Sequence, residues 1–256
     1  MRVLAVALLA VLTAPAMAAE GMWTLDNLPK QAMQAEFGFS PDQAWVDKVM
    51  KSSVRLAGGC SGSFISPEGL VMTNHHCVVD CVAQLSSEGN DFVQNGFIAR
   101  EHSDELKCPD MELNRLEQIA DVTDQVRSAT EGLDGDAYSK AKKAVQSRLE
   151  AECVGDDSQA TRCDIVELYQ GGKQHLYRYT RFQDVRLVFA PEVAAAFFGG
   201  DPDNFNFPRF NLDMGILRAY VDGKPAKLDN GFGFKQAGAA EGELVMITGH
   251  PGSTQR

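Results

Sequence analysis

Short stretches of alternating apolar and polar residues dominate this chain, and Gly- or Pro-containing turns separate them. Residues 53–57, 61–66 and 69–73 within "SVRLAGGCSGSFISPEGLVMT" are each too short for a helix and rich enough in β-formers for strands, with Gly-Gly and Pro-Glu-Gly turning the chain between them. The segments "RCDIVELYQ", "HLYRYTRF" and "QDVRLVFAP" repeat that character, "DMGILRAYVDGKPAKL" is predicted to be a hairpin, and "GELVMITGHPG" a buried strand running into a Pro-Gly turn. One passage, residues 123–153, breaks the rhythm. There Ala137, Ala141, Val145, Leu149 and Cys153 recur four apart with Lys, Gln and Glu between them, the mark of an amphipathic helix. Upstream, Ser40-Pro41-Asp42-Gln43 predicts a helix N-terminus with Ser40 as its cap and an end near Met50. The pattern predicts a mostly β fold with a helical insertion, a barrel or sandwich rather than a parallel α/β sheet.

The first residues lead to the expectation that this fold lies outside the cytosol. Residues 1–18, "MRVLAVALLAVLTAPAMA", set one Arg before an apolar run and finish on the small-x-small Ala16-Met17-Ala18, so a cleaved secretory signal is expected, with residues 19–256 as the N-terminal portion of the mature fold. The run is shorter than the ~20 residues that span a bilayer, and no membrane association is expected once it is removed. In a periplasmic, secreted or cell-surface protein the six cysteines favour disulfides, and their spacing suggests Cys60 with Cys77, Cys81 with Cys108, and Cys153 with Cys163. A formal net charge of −11 with no basic cluster argues against a nucleic-acid partner.

The stretch "GGCSGSFISPEGLVMTNHHC" carries the chemistry. Cys60, His75, His76, Cys77 and Cys81 could be read as zinc ligands, but adjacent histidines point apart on a strand or turn and export favours the disulfide, so neither metal nor cofactor is expected. A protease accounts for more of the pattern, because a histidine acting as general base needs a rigid mount and a buried carboxylate behind it. The stretch resembles the first barrel of chymotrypsin-like serine proteases, in which strand, turn and strand lead to a His-Cys pair closed by a disulfide. By that resemblance His76 is the general base, Cys60–Cys77 is the disulfide, and His75 stands where a small residue is usual. The orienting carboxylate should open a later strand with apolar residues behind it, and Asp213 in "LDMGILRAYV" fits better than Asp184, Asp201 or Asp203.

"GMW", "SPEGLVMTNHHC", "RLVFAP", "FGGDPDNFNFPRFNLD" and "GHPGSTQR" are similar, in order and spacing, to the bacterial dipeptidyl-peptidase 7 and 11 family of serine exopeptidases. The resemblance implies a chymotrypsin-like double β-barrel, incomplete in this chain, that removes dipeptides from the free amino end of peptides and works as a homodimer when full length. It also implies that Asn204 and Phe205 hold the substrate's α-ammonium group. Phe205 and Phe207 stand where that family usually has Trp, which keeps the rings and loses the indole donors.

No "GDSGG" or "GNSGSP" occurs, so the nucleophilic serine is expected to lie outside these residues and the chain to be the N-terminal portion of a longer enzyme, inert alone. Ser61 in "GGCSGS" mimics a nucleophile turn, but it lies only a strand away from the histidine, as does the family's first disulfide. The alternative is an exported, catalytically inactive barrel that binds peptides.

Overall fold

The structure, a computed structural model, describes residues 21–198 and 208–250. The expected signal at 1–18 lies outside the described residues. The strands are β1 (Ser53–Leu56), β2 (Ser61–Phe64), β3 (Leu70–Thr73), β4 (Phe97–Ile98), β5 (Leu106–Lys107), β6 (Leu113–Asp121), β7 (Thr161–Leu168), β8 (Lys173–Phe182), β9 (Asp184–Ala190), β10 (Gly215–Val221) and β11 (Lys224–Pro225). The helices are α1 (Lys30–Phe37), α2 (Gln43–Ser52), α3 (Val79–Leu85), α4 (Phe92–Asn95), α5 (Thr123–Thr130), α6 (Gly135–Val154) and α7 (Val193–Ala196).

The strands form one sheet in the order β4-β9-β10-β3-β2-β1-β6-β8-β7, with β11 on β10 and β5 on β9. Every pairing is antiparallel. The expected mostly β architecture with a helical segment is what the chain adopts. Among the described residues the path is open, because its end strands β4 and β7 do not pair. The sheet curls round its main core all the same: Phe182 at the end of β8 meets Phe64 of β2 edge to face at 5.8 Å. Val54, Phe64, Val71, Leu187 and Leu217 in that core are fully buried, each contributing about 1.5–3 kcal/mol of apolar transfer.

Local chemistry fixes the turns. Gly69 closes the Pro-Glu-Gly turn at φ +74°, and a side chain there would meet the Ala219 carbonyl at 2.8 Å, so the β2–β3 turn can lie against β10 only with glycine. Helix α2 is capped two residues later than the sequence predicts. Its cap is Asp42, whose carboxylate accepts the Trp45 N–H at 2.7 Å, a stronger acceptor there than the Ser40 hydroxyl.

The passage 123–153 is two helices. Gly132 takes φ +71° in the turn between them, and α6 starts at Gly135. Val122 and Val126 pack with Val145 and Leu149 of α6 against Ile165 of β7 and Leu176 of β8. The disulfides are Cys60–Cys77, Cys81–Cys108 and Cys153–Cys163, the last tying the end of α6 to β7.

The apolar run at 244–247 departs from expectation. It forms no strand, with Val245 70% exposed and Ile247 fully so. Among the described residues no strand edge pairs with it, and the chain is held instead just beyond. The Thr248 and Ser53 hydroxyls lie 2.9 Å apart, and His250 donates its N–H to Ser61 Oγ at 2.8 Å.

Candidate active site

Strand β3 delivers the chain to a single 3-10 turn, His75–Cys77, and three features fix where that turn sits. Thr73 donates its hydroxyl to the Ser61 carbonyl at 2.8 Å, holding the end of β3 to β2. Cys77 is bridged to Cys60 just before β2. His75 turns inward, 5% exposed, and donates a ring N–H to the Pro191 carbonyl, since proline offers no donor of its own. Burial holds the His75 imidazole below its ordinary pKa despite the nearby Asp213 charge, so it is a neutral strut. His76, next along, turns outward.

Antiparallel pairing brings the carboxylate to it. Gly215 of β10 faces Thr73 of β3, and extending that register by two residues sets Asp213 beside His75 and His76. Gly215 makes the approach close: a Cβ there would lie 2.8 Å from Val78 Cγ2. Asp213 Oδ2 is 2.8 Å from His76 Nδ1, and Oδ1 accepts the His76 backbone N–H at 3.0 Å. Asn74 Nδ2 donates to Asp213 Oδ2 and to its backbone carbonyl, both at 3.1 Å. Arg209 Nη2 donates to Oδ2 at 2.8 Å.

The electrostatics follow from these contacts. Burial alone pushes the Asp213 carboxyl up, but the backbone and ring N–H of His76, its charge and Arg209 outweigh it and hold the carboxyl below its ordinary value. An ionised carboxylate only accepts, so the proton of a neutral His76 is on Nδ1 and the Nε2 lone pair faces outward. The carboxylate side chain is 7% exposed and the imidazole 65%. Such an arrangement can take a proton from a nucleophile on its open side while a fixed negative charge steadies the imidazolium.

The sequence-derived residues divide as follows. His76, Asp213, Cys60 and Cys77 come together. The four other cysteines form the two disulfides elsewhere in the fold. Asn204 and Phe205 lie outside the described residues. Ser61 Oγ is engaged by the His250 N–H. The Cys60 and Cys77 sulfurs and a His76 ring nitrogen lie within 4.8 Å of one another, but both sulfurs are spent in the disulfide and offer no thiolate to a metal. Sequence reasoning missed Asn74, Gly215 and Arg209. The "TN" before the histidines and the glycine two residues after Asp213 were the available signals; for Arg209 there was none.

An exposed imidazole backed by a buried carboxylate on an antiparallel β scaffold is the arrangement that serine-type peptidases use for proton transfer. The chain belongs to the Peptidase S46 family, whose profile matches residues 18–256. It is 33% identical to a dipeptidyl-peptidase 7 from Porphyromonas endodontalis over 99% of this chain and 33% of that protein. It is also 33% identical to an Asp/Glu-specific dipeptidyl-peptidase from Shewanella putrefaciens, over all of this chain and 37% of the relative. Among solved structures, DPP11 of P. endodontalis in complex with the dipeptide Arg-Glu superposes with a TM-score of 0.67 at 28% identity, covering 82% of this chain and 33% of that one. The chain thus spans about a third of the length of the relatives it matches.

Proposed function

We propose that this chain supplies the general base, His76, and the orienting acid, Asp213, of a serine-type dipeptidyl-peptidase that releases dipeptides from the free N-terminus of oligopeptides. The observation that carries the reading is the contact across 137 residues of sequence: carboxylate to Nδ1 at 2.8 Å, with the backbone N–H of the same histidine on the other oxygen. In this reading Nε2 deprotonates a serine hydroxyl contributed by sequence outside residues 1–256, and the imidazolium then protonates the leaving amine. Asn204 and the Phe205 ring would fix the α-ammonium group, a cation well matched to an amide oxygen and an aromatic face, which sets the cut two residues in. Residues 1–18 act as a cleaved signal and residues 19–256 as the N-terminal portion of the catalytic domain. The working compartment is periplasmic or extracellular. Three disulfides support an oxidising compartment, and no helix of the described residues is long and apolar enough to cross a membrane. The full-length enzyme is proposed to be a homodimer.

The test is made on the full-length enzyme with a chromogenic dipeptidyl substrate. His76→Ala and Asp213→Asn are each expected to lower kcat/KM by roughly 10³-fold or more with the thermal transition preserved. An N-acetylated substrate should be refused. Turnover retained in His76→Ala would overturn the assignment. Peptide binding without turnover in the unmutated full-length protein would favour the inactive peptide-binding barrel.

A further inference from the structure

Three donors converge on one oxygen of Asp213. Oδ2 receives His76 Nδ1 at 2.8 Å, Arg209 Nη2 at 2.8 Å and the Asn74 amide at 3.1 Å. A carboxylate that only oriented an imidazole would direct its charge there; here a guanidinium shares it. Arg209 Nη2 and His76 Nδ1 touch the same oxygen, so they are within about 6 Å of each other, a separation at which the guanidinium and an imidazolium would interact even through water.

Arg209 is also fastened at its own end. Its Nε donates to Asn211 Oδ1, and the segment is held to α7 by the Leu212 N–H on the Ala195 carbonyl at 2.8 Å. Its side chain is 34% exposed and that of Asp213 only 7%, so this ion pair is screened less than a surface pair. Among the described residues, the charged or titratable groups around the pair are His75 and His76 from the 3-10 turn, and Arg209 and Asp213 from the segment before β10.

We propose that Arg209 is a positioning residue acting through Asp213, drawing off part of the carboxylate's charge so that the His76 ring sheds its proton at a lower pH than beside Asp213 alone. The direction follows from charge. Asp213 favours the imidazolium, and a guanidinium on the same carboxylate opposes it. The base therefore stays neutral and competent further into acid, while the imidazolium formed during proton transfer is held less strongly. This inference rests on the catalytic reading of His76, and its first test is independent of turnover.

The His76 imidazole of the full-length enzyme, isotope-labelled and assigned by comparison with His76→Ala, is titrated by NMR in wild type, Arg209→Gln and Arg209→Lys. Removing the charge in Arg209→Gln should move the midpoint up by about half to one pH unit, whereas Arg209→Lys should stay close to wild type. In the full-length enzyme the acidic limb of kcat/KM should move up by the same amount in Arg209→Gln. A merely structural role would lower the plateau and leave the limb in place. Should Arg209→Gln fold poorly, Arg209→Met, which keeps the aliphatic stem, takes its place with the same expected shift. A midpoint that stays put in a folded charge-removing variant, or one that falls, overturns the proposal and leaves the catalytic reading untouched. Turnover surviving in His76→Ala does the reverse.

Discussion

Adding a single methyl group at Gly215 is the most direct way to ask whether the approach of β10 to the histidine turn holds the pair together. An alanine Cβ would sit 2.8 Å from Val78 Cγ2 and 3.3 Å from Cγ1, against ordinary carbon–carbon contacts of about 3.5–4.0 Å. Strand and turn must then separate by about 1 Å, because Val78 is fully buried and has nowhere to swing. Overpacking of this kind costs about 1–3 kcal/mol, which corresponds to roughly 2–12 °C in Tm for a chain this size. Asp213 is two residues away and moves with the strand. A displacement of ~1 Å between catalytic groups lowers the rate by on the order of 10²-fold. Thermal unfolding of the chain and kcat/KM of the full-length enzyme are the two readouts. Val78→Ala supplies the internal control: alone it removes two buried methyl groups and costs about 1.5–2.5 kcal/mol, but combined with Gly215→Ala it opens the space the new Cβ needs. The double variant should be more stable than the sum of the singles by ~1 kcal/mol or more, with part of the activity regained. Effects additive within ~0.5 kcal/mol would refute the packing argument.

Two further outcomes follow from the same geometry. Replacing Cys60 and Cys77 together by Ser opens a 17-residue loop and should cost about 3 kcal/mol, seen as a fall of roughly 6–12 °C in Tm, while freeing the turn that carries His76. Burial first, and then the Arg55 charge, lowers the His250 pKa to about 4, so its neutral form is favoured in the folded state; stability is full above about 6.5 and declines as pH falls toward 4, by roughly 2–3 kcal/mol. His250→Gln should flatten the dependence of Tm on pH between 6.5 and 4 relative to wild type, and an unchanged slope would contradict it.

Much of this architecture was legible because it is written in local patterns: the Gly- and Pro-punctuated strands β1 to β3, the four-residue period of α6, and a cysteine on each side of the histidine turn. What escaped was set by partners far away in the chain. Strand β6 places apolar residues at 113, 116 and 119, a helical spacing, because its pairing with β8 slips between Leu116 and Gln118 and the bulge resets which face each side chain takes. The run at 244–247 reads as a strand by composition, yet an apolar stretch states only a need for a neighbour. Arg209 has no sequence signal at all, since an arginine four residues before an aspartate outside a helix meets it only if the intervening loop turns back.

Helices α5 and α6 fall between His76 and Asp213 in sequence, yet they sit on β7 and β8, at the far end of the strand order from β10. Linear order and spatial order are thus uncoupled, and the turn at 131–134 becomes a convenient handle. A fluorophore or affinity tag grafted there would be read by the same chain as a remote ornament, leaving the imidazole and its counterion undisturbed.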